Sequence, residues 1–214
     1  TIAPWQDSSS GDADGRARFG PIRPLPVSRP PFMTPDTGRF ITLEGIDGAG
    51  KSTHLQWLAE RLRGDGGREV VVTREPGGTL LGERLREVLL AQMGAGVPTD
   101  ATTDALLFNA ARRQLVGQVI QPALGSGTTV LCARFADSTI AYQGFGAGVA
   151  LDRLEALERA ATDGLKPDLT ILLDVPPEIG LARKAPGEVT RFEAEFDLAF
   201  HRRVRNGFLE LAAR

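Results

Sequence analysis

Phe40-Ile41-Thr42-Leu43-Glu44-Gly45-Ile46-Asp47-Gly48-Ala49-Gly50-Lys51-Ser52-Thr53 is the stretch on which the reading of this chain turns. Its first five residues have the length and apolarity of a short buried strand. Gly45–Ser52 match G-x-x-x-x-G-K-[ST]. From Thr53 to Arg63, Leu55, Leu58, Ala59 and Leu62 recur at helical spacing. Strand, glycine-rich loop and helix in that order suit a phosphate: glycines let the backbone wrap an anion, and its N–H groups converge at a helix N-terminus that favours negative charge. Lys51 adds a mobile cation, and Ser52 offers a hydroxyl to Mg²⁺. The chain holds 25 glycines, so the pattern could arise by chance; the flanking strand and helix argue against that.

The 214 residues are 42% hydrophobic and 24% charged, which suits one α/β domain with a sizeable core. A net charge of −2 provides no general attraction for nucleic acid or an anionic membrane surface, so anion binding must come from locally placed arginines. Cys132 is the single cysteine, which excludes an intrachain disulfide and points to a reducing, cytoplasmic setting. No apolar run approaches the ~20 residues of a membrane span, and no signal-peptide segment stands out.

Residues 1–38 hold seven of the fourteen prolines and show no periodicity, so they read as a flexible extension ahead of a domain at 39–214, with Met33 a conceivable start. Gly64–Gly67 is a turn. A second strand is expected at Glu69–Thr73, followed by Arg74-Glu75-Pro76-Gly77-Gly78-Thr79 and a helix over Leu80–Leu90. After a break at Gly94–Pro98, a long helix is expected over Thr99–Ile120, capped by Thr99 or Asp100 and ended by Pro122. Phe108 and Arg112 share a face of it. They could stack on a base and read its edge, or be a core phenylalanine beside a solvated arginine. A third strand at Thr128–Cys132 leads to Arg134 and a helix carrying Tyr142. Leu151–Thr162 is helical, Leu169–Asp174 is the fourth strand, and Pro176-Pro177-Glu178 opens a helix through Arg183. A polar break at Lys184–Glu188 precedes a last helix over Arg191–Ala213. Alternating strands and helices give a doubly wound parallel sheet flanked by helices.

A phosphate loop serves many activities, but three features narrow this one. Arg74, Arg134, Arg183 and Arg191 lie at strand ends or helix breaks, more cations than one nucleotide requires, and the guanidinium fork suits phosphate oxygens. No general base is evident, and a phosphate acceptor needs none, since a monoester with a second pKa of about 6 is already mostly dianionic at neutral pH. The break near 183–191 has the character of a lid that excludes water. Together these suggest a nucleoside monophosphate kinase.

Phe40–Thr53, TREPGGT (Thr73–Thr79), LFNAAR (Leu107–Arg112), RFADSTIAYQG (Arg134–Gly144), LTILLDVPPE (Leu169–Glu178), RFE (Arg191–Glu193) and RVRNGFLEL (Arg203–Leu211) resemble the thymidylate kinase family over about residues 39–212. The resemblance implies transfer of the γ-phosphoryl group of ATP to dTMP, with ATP and Mg²⁺ as cofactors and a homodimer packed through helices. It implies that Gly45, Ile46, Asp47, Gly48, Ala49, Gly50, Lys51, Ser52 and Thr53 hold the donor, with Ser52 on the metal. Phe108 would stack on thymine and Arg112 bond its edge. Arg74 and Arg134 would hold the acceptor phosphate. Asp47 would lie near the sugar and that phosphate, and Tyr142 beside the 2′ position, with Thr139 and Gln143 in the same pocket. The family places its catalytic cation either inside the phosphate loop or in the lid. Asp47-Gly48-Ala49 contains no arginine, which implies the lid arrangement, with Arg183 and Arg191 as candidates, Lys184 as a lesser one, and Lys51 and Arg134 completing the catalytic set.

Two departures accompany the resemblance. The family carries an acid before the arginine at position 134, where this chain has Ala133; this predicts weaker Mg²⁺ use and slower turnover, with Asp174 a conceivable substitute. The family also continues into a fifth strand and a final helix, so an uncovered sheet edge is expected. The competing readings are another nucleotide kinase on the same scaffold and a nucleotide-binding module without catalysis.

Overall fold

The computed structural model describes residues 38–64, 67–91, 100–183 and 190–214. The expected extension, the break at Gly94–Pro98, the Thr99 cap and the Lys184–Glu188 segment with its candidate Lys184 fall outside them, apart from Gly38. Four parallel strands make one sheet in the order β2-β3-β1-β4: β1 is Phe40–Glu44, β2 Val70–Arg74, β3 Thr129–Ala133 and β4 Leu169–Leu172. The central strands β1 and β3 are apolar and buried, β3 along its whole length, as a sheet covered on both faces requires. β4 forms one edge, with Leu169 half-exposed. The strand order reverses between β1 and β3, so the loops after these neighbouring strands open a crevice at their carboxyl ends.

The helices follow the apolar periodicity. α1 (Lys51–Gly64) buries Leu55 and Ala59 against β1 and β3. α2 (Leu80–Leu90) is capped by Thr79, whose side chain accepts from the Gly82 N–H. α3 (Ala101–Leu115) starts at Asp100, which accepts from the Thr102 and Thr103 N–H groups.

The long helix does not end at Pro122. It passes through a wide π-helical turn at Val116–Ile120, where Gln121 donates to the Val116 carbonyl, into the short α4 (Gln121–Gly125). The wider register precedes the proline and relieves the clash its ring makes in a regular ladder. After β3 come α5 (Ala136–Thr139) and a second π-helical stretch, Ile140–Gly146, which carries Tyr142 and Gln143. α6 is Leu151–Thr162 and α7 Pro177–Ala182.

The expected last helix is two helices, α8 (Arg191–Glu195) and α9 (Leu198–Ala212). Asp197 breaks the run by accepting from the Phe200 N–H at 2.7 Å. The interruption lets Phe196 stack on Phe200, ring centroids 4.0 Å apart. β4 stops at Leu172, and Asp174 leaves the sheet to pair with Arg205 on α9 at 2.6 and 2.7 Å. Among the described residues no helix is long and apolar enough to cross a membrane.

Candidate functional site

A cleft of about 770 Å³ opens at the carboxyl ends of β1, β2 and β3. One end is the phosphate loop. Gly48 holds φ 72, and a Cβ there would lie 1.9 Å from the Gly180 carbonyl oxygen of α7, so both conformation and space demand glycine. Asp47, Gly48, Gly50, Lys51, Ser52 and Thr53 line the cleft. Gly45, Ile46 and Ala49 do not; they shape the loop from behind, with Ile46 and Ala49 in an apolar cluster that includes Tyr142 and Phe192. Lys51 donates from Nζ to the carbonyls of Gly45 (3.0 Å) and Ile46 (2.7 Å).

Arg134 stands at the centre. Its backbone takes φ 68, a left-handed conformation that arginine rarely adopts. Its N–H donates to the Leu43 carbonyl at 2.9 Å. Nη1 donates to the Gly45 carbonyl and Ser138 Oγ, both at 3.0 Å, and Nη2 to Asp47 Oδ1 (2.8 Å) and Tyr142 Oη (3.3 Å). Tyr142 in turn donates to Asp47 Oδ2 at 2.7 Å. Burial disfavours the guanidinium charge, but Asp47, Tyr142 and Glu44 outweigh it and raise the Arg134 pKa further. Burial pushes the Tyr142 pKa up as well, so its hydroxyl stays protonated and donating. Beneath this set, Glu44 at the end of β1 is buried and accepts from the Phe135 N–H and Ser138 Oγ–H, each at 2.6 Å.

At the other end Phe108 is half-buried, its ring centroid 6.0 Å from that of Phe192. Arg112 is not a solvated neighbour. It is 1% exposed and donates from Nε to Glu75 Oε2 (2.8 Å), from Nη1 to Asn109 Oδ1 and from Nη2 to the Phe135 carbonyl and Thr139 Oγ1 (each 3.0 Å). Burial raises the pKa of Glu75 although Arg112 opposes it. Thr139, Tyr142 and Gln143 are buried along the same wall.

Arg74 lines the rim, its Nη2 held by both carboxylate oxygens of Glu83 at 3.0 and 3.1 Å. Arg183 is exposed at the loop end, donating to the Gly48 carbonyl at 3.3 Å. Arg191 is the exception among the expected cations. It does not line the cleft: it is 3% exposed, pairs with Asp104 on α3 at 2.8 Å and donates to the Leu89 carbonyl. A buried guanidinium stays where its counter-ion is, and Asp104 is buried and does not line the cleft. Asp174 is likewise outside the cleft, and Ala133 lines it without an acid.

Sequence reasoning missed Arg86, Glu75, Ser138 and Glu44. Arg86 lines the cleft and donates to the Pro76 carbonyl at 3.0 Å; burial, then Arg74 nearby, lowers its pKa. It sits four residues after buried Gly82 and three before buried Leu89, so a cation on the apolar stripe of α2 was the available signal. For Glu44, the signal was an acid at the end of a buried strand.

The family model described as thymidylate kinase matches residues 43–214. The thymidylate kinase of Burkholderia lata is 53% identical over 180 residues, covering 82% of this chain and 84% of the relative. That of Burkholderia thailandensis is 54% identical over 179 residues, with the same coverage. The crystal structure of thymidylate kinase from Ehrlichia chaffeensis superposes with a TM-score of 0.67 at 38% identity, covering 83% of this chain and 87% of that one.

Proposed function

The chain belongs to the thymidylate kinase family, and on that premise we propose that its cleft transfers the γ-phosphoryl group of ATP to dTMP. The observation that carries the reading is one continuous cleft with a phosphate loop at one end, Phe108, Arg112, Thr139 and Gln143 at the other, and Arg134 between them. ATP binds with its phosphates on the loop amides and Lys51. Thymine stacks on Phe108, with Arg112 at its edge. Arg134, with Arg74 and Arg86, binds the acceptor phosphate. An oxygen of that dianion attacks the γ-phosphorus in line, the bond from phosphorus to the bridging oxygen breaks, and ADP leaves; no side chain has to remove a proton. Arg183, beside Gly48, is the cation for charge developing on the transferring group. Arg191 instead anchors α8 through Asp104.

Among the described residues no group of three or more His, Cys, Asp or Glu gathers to hold a metal. The donor set therefore suits a Mg²⁺ that takes most of its ligands from phosphates and water, with the Ser52 hydroxyl as the chain's contribution. So bound, the ion neutralises charge on the phosphates. Tyr142, fixed by Asp47, crowds the sugar's 2′ side and favours deoxyribonucleotides. Leu80, Leu81 and Val88 on α2 and Leu106 on α3 are 83%, 49%, 47% and 51% exposed. These two helices pack side by side, and their apolar surface supports a homodimer. We place the working domain at 39–214 and the protein in the cytoplasm, where its lone buried thiol stays reduced.

The test is dTMP-dependent ADP release with Mg²⁺ in a coupled assay, with dUMP, dGMP and thymidine as competing acceptors. ADP release that dTMP does not stimulate, with dTMP binding kept, supports instead a binding module disabled at Ala133.

A further inference from the structure

We propose that Glu44 is a positioning residue that holds Arg134 in the cleft through Ser138, and that its ionisation switches the strength of that hold. This rests on Arg134 binding the acceptor phosphate, but one arm of the test does not.

The geometry is a relay of three side chains. Glu44 is 1% exposed at the end of β1 and accepts twice: Oε1 from the Phe135 N–H and Oε2 from Ser138 Oγ–H, both at 2.6 Å. Because the hydroxyl hydrogen of Ser138 is committed to Glu44, its lone pairs face Arg134 Nη1, which donates to Oγ at 3.0 Å. The same carboxylate fixes the residue that follows the unusual Arg134 backbone in the turn after β3. Phe135 is tied through its N–H, while the Arg134 N–H is tied to Leu43, the residue before Glu44. Left-handed arginine persists only where its surroundings over-determine it, and Glu44 supplies one backbone tie, through Phe135, and one side-chain tie, through Ser138.

Protonation reverses the relay. With Oε1 occupied by the Phe135 N–H, the added proton sits on Oε2 and points at Ser138 Oγ. Ser138 then accepts from Glu44, its own hydrogen must turn elsewhere, and Arg134 Nη1 meets a weaker acceptor. The charged groups facing Glu44 are Arg134 in the turn after β3, which favours its ionised form, and Asp137 on α5, which opposes it; Cys132 on β3 also lies within its field. Burial dominates and pushes the Glu44 pKa up to about 7. The relay therefore changes state near neutral pH.

The sign follows. Above pH 7 Glu44 is ionised and Arg134 is held; below it the hold weakens. The affinity for the acceptor phosphate should fall about tenfold, the worth of one hydrogen bond to a charged group. KM for dTMP should therefore rise as pH drops from about 8 to 6.5, with kcat changing less. In Glu44→Gln this inflection should vanish, leaving only the fall due to the dTMP phosphate itself, whose second pKa is about 6.

The arm that needs no substrate is an NMR titration of the free protein, following the Glu44 carboxyl carbon and the Arg134 guanidinium nitrogens. Both should titrate with one midpoint near 7. In Ser138→Ala, which keeps the carboxylate, Glu44 should still titrate and Arg134 should stop following it. An Arg134 resonance flat through the Glu44 midpoint overturns the proposal, as does a Glu44 midpoint below 5.5. Coupled titration without dTMP-dependent ADP release would leave the relay standing and overturn the substrate assignment instead.

Discussion

Gly180→Ala tests whether the phosphate loop is held in place by α7. Gly180 lies in a helix with ordinary φ, so by local rules alanine should be better there, by about 1 kcal/mol. The tertiary contact says otherwise. A Cβ at Gly180 would sit 2.5 Å from the Asp47 carbonyl oxygen and 2.9 Å from Ile46 Cδ1, where ordinary contact begins at 3.4 Å. The loop and α7 must separate by roughly 3.4 − 2.5 = 0.9 Å. Overpacking of this kind costs about 1–3 kcal/mol, which exceeds the propensity gain and leaves a net loss of about 0–2 kcal/mol. For a chain of this length that is a fall of up to about 8 °C in Tm. Catalysis should suffer more. The displaced atom belongs to Asp47, whose carboxylate holds Arg134 and Tyr142, and a shift near 1 Å in a positioned group costs up to about 10²-fold. Thermal unfolding and dTMP-dependent ADP release are the two readouts. Gly117→Ala is the control, since nothing lies within 4 Å of a Cβ added there. Gly180→Ala melting higher than the parent, with turnover within twofold, would refute the reasoning.

Arg183→Ala should lower turnover by about 10²-fold or more with unfolding by urea unchanged, because the side chain is exposed and, among the described residues, donates only to the Gly48 carbonyl. Arg191→Met should instead lower stability: it removes the guanidinium paired with buried Asp104 and costs about 3–5 kcal/mol in the same urea titration, with Arg191→Met/Asp104→Leu recovering most of the loss. Tyr142→Phe removes the 2.7 Å bond to Asp47, so KM for dTMP should rise about tenfold and discrimination against ribonucleotide acceptors should shrink in competition assays. Ala133→Asp should lower the Mg²⁺ concentration needed for half-maximal rate and raise turnover; an unchanged Mg²⁺ titration would remove Ala133 from the metal argument.

Much of this was legible in the chain itself. The phosphate loop, the four parallel strands and the convergence of Arg74, Arg134 and Arg183 follow from local pattern, because strand periodicity, glycine spacing and the rule that ligands sit beyond strand ends are short-range properties. The errors share one cause. Pro122 was expected to end one helix and Arg191–Ala213 to form another without a break, but packing decided both: a π-helical turn absorbed the proline, and the stacked Phe196 and Phe200 rings accompany the break at Asp197.

Sequence by itself determined the fold class, the phosphate loop and the family, because these are written in the order and spacing of residues near one another in the chain. Tertiary structure alone decided which arginines are catalytic candidates. Arg183 and Arg191 flank the same break and look alike in sequence, yet among the described residues only Arg191 meets a buried carboxylate, Asp104, 87 positions away. It also decided that Arg112 is buried, through Glu75, and that Glu44 lies under Arg134. The energy of a charge depends on which partners and how much water surround it, and those are fixed only when distant segments meet.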